Sequence, residues 1–275
     1  MIHGGMKAAS AAACAATLLA LVSGCTLLDA PAHPATRSAT SSPDADPSAN
    51  AQQLPNLLVA GQTIGTGQLK LVSHDPIPGT VTDHPLTGAV RIVVGEDHVL
   101  DVHIRPDDPA AVNLAGIQLM LTGKRHDGRP ENIQDQNYYG VVTATTSTDG
   151  ELVMRAPLDS PAAGDPTFLH SLEESPDGDA RVFAVATLDW TLPPAYPGLA
   201  PLDHGSEANA RGRTVLDGST LAYYVPSEGD TLYQVSRRFG LTETQLVWLN
   251  PELLIGSPQP YLKYGIGVNL DPARR

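Results

Sequence analysis

The sequence predicts two folded parts of different class: an all-β antiparallel sandwich in the middle of the chain and a small α+β part after it. Seven short β-rich segments separated by turn-forming Asp-Gly pairs predict the sandwich. A strand pattern, two helix-start signals and a second strand pattern follow one another in residues 219–272, and this order predicts the α+β part, called here the helical module.

The chain opens with features typical of an export signal. Lys7 precedes an apolar run, 8–22, that is too short to span a bilayer as a helix. The run leads into Val22-Ser23-Gly24-Cys25, which resembles the lipobox of bacterial lipoproteins. That resemblance implies removal of residues 1–24 as a signal peptide and attachment of lipid to Cys25. An ordinary secreted protein with a cysteine at this position is the alternative.

Residues 25–62 are predicted to be the lipidated cysteine followed by a disordered linker. Their Ala, Pro, Ser, Thr and Asp content buries too little apolar surface to offset the entropy lost on ordering. The other cysteine of the chain, Cys14, lies in the segment that would be removed. We therefore expect no disulfide, thiol nucleophile or cysteine-based metal site.

Residues 63–193 carry the strand pattern of the sandwich. Apolar Leu100, Val102 and Ile104 alternate with polar residues, as in a strand with one buried face. Seven strands without a long helix favour an antiparallel β-sandwich, of which the immunoglobulin fold is one example. The predicted strands are Leu69–Val72, Ala89–Val94, Val99–Ile104, Ile117–Thr122, Tyr138–Thr146, Glu151–Arg155 and Arg181–Leu188.

This middle part shows no pattern typical of catalysis or metal binding. His98 and His103 lie five residues apart on one predicted strand, so they would occupy opposite faces and would not share an ion. No phosphate loop, zinc motif or nucleophile elbow stands out. We predict a protein that is not an enzyme and uses no cofactor. The other polar candidates are predicted to lie in loops: His126, His170, Glu173, Glu174 and residues 177–179.

A second linker is predicted at residues 194–218, which are rich in Pro and Gly. The formal net charge of -13 lies before Leu221, because five acids and five bases cancel in residues 221–275. An acidic body is repelled by nucleic acid and by anionic polymers, so no nucleic-acid partner is expected. Recognition by the helical module should depend on shape and hydrogen bonds.

The helical module contains two consecutive helix starts. Thr231 with Gln234, and Thr242 with Gln245, have the spacing of capping boxes. Asn250-Pro251 ends the second helix, because a residue before proline avoids the α region. Strand patterns precede the first helix and follow the second. The predicted order is strand, helix, helix, strand.

These residues resemble the LysM (lysin motif) family over about a fifth of the chain. The family's Gly-Asp-Thr-Leu turn is met by Gly229 to Leu232, its Phe-Gly helix end by Phe239-Gly240, and its Leu-x-x-Leu-Asn-Pro helix end by residues 246–251. Two features depart from the family: the loop from Glu252 to Tyr261 is long, and Ile266 stands where a polar residue is usual.

The resemblance implies binding to glycans that contain N-acetylglucosamine, such as peptidoglycan or chitin. It places a shallow groove between two loops, where a neutral sugar would meet mainly main-chain groups and an apolar floor. A cap or helix-terminating role is the alternative for each side chain. The implied glycan-binding residues are Gly229, Asp230, Thr231, Leu232, Asn250, Pro251, Glu252, Leu253 and Leu254.

Trp248 lies on the second predicted helix but off the ridge formed by Leu246 and Leu249. A tryptophan carries roughly 150 to 250 Å² of surface to bury. We predict that it packs on the neighbouring sandwich or on a partner. Completion of the module's own core is the alternative.

Together these features predict a lipoprotein anchored on the extracytoplasmic face of the cell membrane that binds peptidoglycan through the helical module. One alternative is a cell-wall hydrolase whose catalytic site in the β domain is not recognisable from one sequence. A second alternative is a scaffold that presents the β domain to an envelope protein partner.

Overall fold

A computed structural model describes residues 54–72, 86–132, 138–140, 142–146, 150–156, 164–177, 181–254 and 260–275. The predicted signal peptide, Cys25 and most of the first predicted linker lie outside these residues. The described residues belong to one compact unit, Ser48–Arg275. None of the helices in these ranges reaches the length and apolarity that a membrane span requires.

The described residues are mostly antiparallel β-structure, with two α-helices, α1 (Leu232–Arg238) and α2 (Glu243–Leu249). The strands are β1 (Thr63–Leu71), β2 (Gly88–Val94), β3 (Leu100–Pro106), β4 (Ile117–Thr122), β5 (Tyr138–Gly140), β6 (Val142–Thr146), β7 (Leu152–Arg155), β8 (Ser171–Pro176), β9 (Ala184–Thr187), β10 (Asp189–Trp190), β11 (Arg213–Asp217), β12 (Thr220–Val225) and β13 (Val268–Asn269).

Ten of these strands form one sheet in the order β5-β4-β8-β9-β1-β2-β3-β7-β6, with β10 also paired to β1. The long strand β1 joins the two halves, since it pairs with β2 on one side and with β10 and β9 on the other. Val90 and Ile104 from one half share an apolar core with Leu121 and Leu172 from the other. We call this element the large sheet, and its class agrees with the predicted all-β antiparallel part.

Alternation of apolar and polar residues along the sequence correctly predicts several strands of the large sheet. The predicted alternation in β3 is confirmed: Leu100, Val102 and Ile104 are buried, whereas Asp101 and His103 are partly exposed. Strand β4 has the predicted bounds. Such strands are recognisable because one face meets the core and the other meets solvent.

The interior strand β8 was not predicted, and the prediction that Glu173 and Glu174 lie in a loop is wrong. Both glutamates belong to β8 and are 1% and 2% exposed. His170, also predicted in a loop, is buried next to β8. The prediction that His98 and His103 lie on one strand is wrong, because His98 lies between β2 and β3 with φ 61°.

Both predicted linkers contain packed residues where the structure describes them. Leu58 is part of the core of the large sheet, and Leu57 donates its N–H to the carbonyl of Gly164 at 2.7 Å. The end of the second predicted linker is strand β11, which pairs with β12. The prediction of linkers is wrong for these residues. The average composition of the two segments does not show the few apolar and hydrogen-bonding groups that pack against the folded parts.

In the helical module the predicted order of strand, helix, helix and strand is confirmed as β12, α1, α2 and β13. Strands β11, β12 and β13 form a separate three-stranded sheet. Thr231 caps α1, and the full capping box of Thr242 and Gln245 begins α2. Phe239, Leu246 and Leu249 are fully buried in the core between these elements. The module therefore includes β11 as well as the predicted residues.

Candidate functional site

The first predicted binding loop runs from Gly229 to Leu232 and is shaped by a positive backbone angle. Gly229 has φ +82°, a region that side chains other than glycine rarely adopt. A Cβ atom built at Gly229 meets no atom within 4 Å. The turn therefore presents its main chain to open space, as close approach of a ligand requires.

Asp230 holds this loop in place with its carboxylate. The carboxylate accepts hydrogen bonds from the amides of Ser227 at 2.7 Å, Arg211 at 2.8 Å and Gly212 at 3.0 Å, and from the hydroxyl of Tyr224. Burial alone would raise the pKa of Asp230, but these hydrogen bonds lower it below its ordinary value. The side chain therefore has a structural role in the loop, and the N–H of Asp230 itself donates to the carbonyl of Ser227 at 3.1 Å.

The neighbouring residues of the first loop divide between capping and packing. The exposed Thr231 accepts the N–H of Gln234 at 3.2 Å, and its own N–H donates to the carbonyl of Asn209 at 2.9 Å. Leu232 is partly buried against the core of the module. The first loop thus offers main-chain groups and part of one apolar side chain.

The second predicted loop differs from the expectation. Asn250 is fully buried; its Nδ2 donates to the carbonyls of Leu246 at 2.8 Å and Asn269 at 2.9 Å, and its Oδ1 accepts the N–H of Asn269 at 2.6 Å. This side chain joins the end of α2 to β13 and is closed to a ligand. The structure thus gives the Asn250 side chain the helix-terminating role that was the alternative to glycan contact.

Other side chains of the second loop also turn away from solvent. Pro251 and Leu253 are buried, while Glu252 and Leu254 are partly exposed. Pro251 and Leu254 line a small pocket together with Trp248 and with Asp165 of the large-sheet part. Residues 250–254 therefore offer a ligand fewer side chains than the sequence predicted.

Exposed aromatic residues beside the loops were missed by the sequence analysis. Tyr264 is 76% exposed, Tyr261 52% and Ile266 45%, although comparable residues of this module fill its core. The N–H of Gly265 donates to the carbonyl of Pro226 at 3.2 Å, which connects this segment to the residues just before the first loop. The signal in the sequence is a pair of tyrosines close together at and just after the end of the long loop.

Trp248 packs on the large-sheet part as predicted, and it also belongs to the core of the helical module, which was the alternative. Its Nε1–H donates to Oδ2 of Asp165 at 2.6 Å, and the side chain is 8% exposed. The guanidinium of Arg275 stacks over the indole at 4.1 Å, and Tyr196 meets the ring edge-on at 5.2 Å. A tryptophan with both its face and its N–H engaged makes a directional contact.

Arg275 completes this contact. Its Nη2 lies 3.3 Å from Oδ2 of Asp165, and the two side chains are only 5% and 4% exposed. Its Nε donates to the carbonyl of Trp248 at 2.7 Å. We call Asp165, Trp248 and Arg275 the latch. Because its groups are buried and hydrogen-bonded, it fixes the orientation of the helical module on the large sheet.

A second buried arginine attaches the predicted linker to the module. Arg238 donates from Nε and Nη2 to the two carboxylate oxygens of Asp203, at 2.8 and 2.9 Å. Its Nη1 donates to the carbonyls of Ala210 and Gly212, and its guanidinium stacks on the ring of Tyr224 at 5.3 Å. The segment around residues 203–212 is thus part of the structural unit that presents the first loop.

The large sheet holds a histidine–carboxylate pair beside an open groove. Nε2 of His126 lies 2.7 Å from Oε1 of the buried Glu173. The groove has a volume of about 570 Å³ and is lined by His126, Lys70, Val185 and Asp189, among others. Within the described ranges, no group of three or more His, Cys, Asp or Glu side chains is arranged to hold a metal ion. Such a pair can orient an imidazole for proton transfer.

The adjacent Glu174 belongs to the opposite face of β8, where it lies across from Leu119 and Ala184 of the apolar core. Burial raises its pKa to about 7, against the opposing effect of a hydrogen bond from the amide of Leu86. Among the described residues, its Oε2 has no hydrogen-bond partner. The charged form of this carboxyl therefore destabilises the folded protein, because a buried charge without a full set of partners costs free energy.

We predict that Glu174→Gln flattens the pH dependence of stability. The unfolded carboxyl titrates near 4.5 and the folded one near about 7, so the folded state binds more protons in this interval. The free energy of unfolding of the natural protein should fall by about 3 kcal/mol as pH rises through this interval. Urea unfolding at pH values on either side of it measures the effect. Glu243→Gln, at an exposed position, is the control, and an unchanged slope in Glu174→Gln would contradict the assignment.

Comparison of the chain with protein-family models, with curated proteins and with solved structures found no match in any of the three sets.

Proposed function

We propose that this protein is a membrane-anchored lipoprotein that binds N-acetylglucosamine-containing glycan, in particular peptidoglycan, through a LysM-like helical module. The observation that carries the proposal is the loop at Gly229, whose main chain faces open space in a turn of φ +82°. The sequence motif at Gly229 to Leu232 and the order β12, α1, α2, β13 support it.

The proposed chemistry suits a neutral sugar. An acetamide group needs one donor and one acceptor, which the main chain of a turn supplies without charge. Asp230 fixes the turn through four hydrogen bonds, so the loop loses little conformational freedom when it binds. The module also has zero formal net charge over residues 221–275, which gives no general attraction to charged polymers.

The proposed groove uses the second loop differently from the sequence-based assignment. Since Asn250, Pro251 and Leu253 are buried, we assign them the role of holding the loop, and we assign ligand contact to its main chain. Deletion of the Glu252 side chain should then weaken binding only slightly, because the contacts proposed for this loop are made by main-chain groups.

The large sheet is proposed to be a β-sandwich without catalytic activity that carries the module away from the membrane. The shared core of its two halves supports the sandwich arrangement. The latch supports the carrying role, because buried directional contacts hold the module in one orientation. No cofactor enters this proposal.

We predict that Cys25 carries the lipid that anchors the protein at the extracytoplasmic face. Cys25→Ala should leave the precursor uncleaved at this position and without acyl chains, because the thiol is the acceptor of the lipid. Metabolic labelling with a palmitate analogue, followed by membrane fractionation, measures both effects. Equal labelling of Cys25→Ala would contradict the assignment.

Retention on insoluble peptidoglycan and on chitin tests the proposed binding. The chain lacking residues 1–25 should be depleted from solution by both materials and released by soluble N-acetylglucosamine oligomers. No depletion by either material would refute the proposal.

A second candidate, a wall hydrolase, is favoured by the pair of His126 and Glu173 beside the groove of the large sheet. Release of soluble fragments from purified cell walls distinguishes it from a binding protein. Loss of that release in His126→Ala would establish the hydrolase, whereas no release by the natural protein would exclude it.

A further inference from the structure

We propose that Tyr264, together with Tyr261, extends the glycan groove of the helical module by a platform that stacks on a further sugar ring of a long glycan chain. This inference rests on the proposed function and specifies its ligand as an extended oligosaccharide rather than a single sugar. We call these two residues the tyrosine platform.

The backbone fixes Tyr264 at the tip of a tight turn. The N–H of Ile266 donates to the carbonyl of Lys263 at 3.2 Å, and Gly265 at the third position has φ +75°. This pattern is that of a turn that requires glycine at its third position. The second position, occupied by Tyr264, then projects outward, and its side chain is 76% exposed.

The segment around this turn is held on both sides. Leu262 packs against the core of the module, and Val268 begins strand β13 beside Tyr224 of β12. The N–H of Gly265 also donates to the carbonyl of Pro226 at 3.2 Å, just before the first loop. The backbone at Tyr264 is therefore tied to the segment that leads into the first loop, and immobilisation of this tyrosine by a ligand should cost little backbone entropy.

The chemistry of the platform favours a sugar. A tyrosine offers an apolar ring face to the C–H groups of a pyranose and a hydroxyl to its polar edge. Three large apolar side chains, Tyr261, Tyr264 and the 45% exposed Ile266, are thus exposed close together in the sequence. Exposed apolar groups that cluster are typical of interaction sites. The nearby exposed charges, Glu228 and Lys263, have opposite signs, so a strongly charged ligand is not favoured.

The test compares a short and a long N-acetylglucosamine oligomer, the disaccharide and the hexasaccharide, on the chain lacking residues 1–25. The natural protein should bind the hexasaccharide about tenfold more tightly than the disaccharide. Tyr264→Ala should lose that gain and keep its affinity for the disaccharide. Tyr264→Phe should retain most of the gain, because stacking uses the ring face.

Leu216→Ala is the matched control, because Leu216 is a 57% exposed apolar residue on β11 of the same module, and it should leave both affinities unchanged. If Tyr264→Ala binds the hexasaccharide as tightly as the natural protein does, the platform is overturned and the proposed function still stands. Equal loss for both oligomers would also overturn it, by placing Tyr264 in the groove itself. If the natural protein binds neither oligomer, the proposed function fails and the platform fails with it.

Discussion

Asp165→Ala is expected to release the helical module from the large sheet. The substitution leaves the guanidinium of Arg275 buried without its partner carboxylate and the Nε1–H of Trp248 without an acceptor. Removal of one partner of a buried ion pair typically costs about 3–5 kcal/mol. Asp165 also accepts the N–H of Thr167 at 3.1 Å, so part of the loss is local to the large-sheet part.

Tryptophan fluorescence measures this release. In a Trp190→Phe background the emission reports Trp248, which is 8% exposed in the natural protein. Asp165→Ala should shift the emission to the red and should separate the unfolding of the module from that of the large sheet, while helical circular dichroism persists. Asp189→Ala, at an exposed position of β10, is the control. Unchanged emission in Asp165→Ala would show that the latch does not hold Trp248.

Gly229→Val is expected to abolish glycan binding while both helices stay folded. Valine is strongly disfavoured at φ +82°, and its β-branched side chain would occupy the open space in front of the loop. Loss of a few hydrogen bonds at about 1 kcal/mol each is enough to take a weak site out of measurable range. Binding to immobilised peptidoglycan and circular dichroism of the same sample measure the two parts of this prediction.

The chain offers a matched control for this substitution. Gly218 lies in the turn between β11 and β12 of the same module, with φ +59° and no atom within 4 Å of a built Cβ. Gly218→Val should therefore impose a similar backbone strain without touching the proposed groove. Equal loss of binding in both variants would show that the effect comes from strain in the module rather than from the first loop.

The parts of the fold that were predictable depend on neighbours in sequence. Thr242 and Gln245 cap α2 within one turn of helix, and alternation along β3 shows which face is buried. Strand β8 was missed because Glu173 and Glu174 look like solvent-exposed residues. Their burial depends on His126 and Leu86, which are distant in sequence, and no local pattern reveals such partners.

In the candidate site, too, local features could be predicted from the sequence, whereas contacts between distant residues could not. The turn at Gly229 was located by its motif, but the reason that it is rigid was not, because Asp230 reaches back to Gly212 in the predicted linker. The resemblance leaves ligand contact and helix termination both open for Asn250, and only the structure shows that Asn269, nineteen positions away, satisfies its side chain. A polar residue can make a long-range hydrogen bond or bind a ligand, and the sequence alone does not distinguish the two roles.

Glycan recognition by the helical module is tested by a calorimetric titration of the chain lacking residues 1–25 with an N-acetylglucosamine oligomer at low and at high salt. We expect saturable binding with an affinity that changes little between about 0.01 M and about 1 M salt, although the Debye length falls from about 30 Å to about 3 Å. Absence of saturable binding, or affinity that falls steeply with salt, would contradict recognition of a neutral sugar by the loops of the helical module.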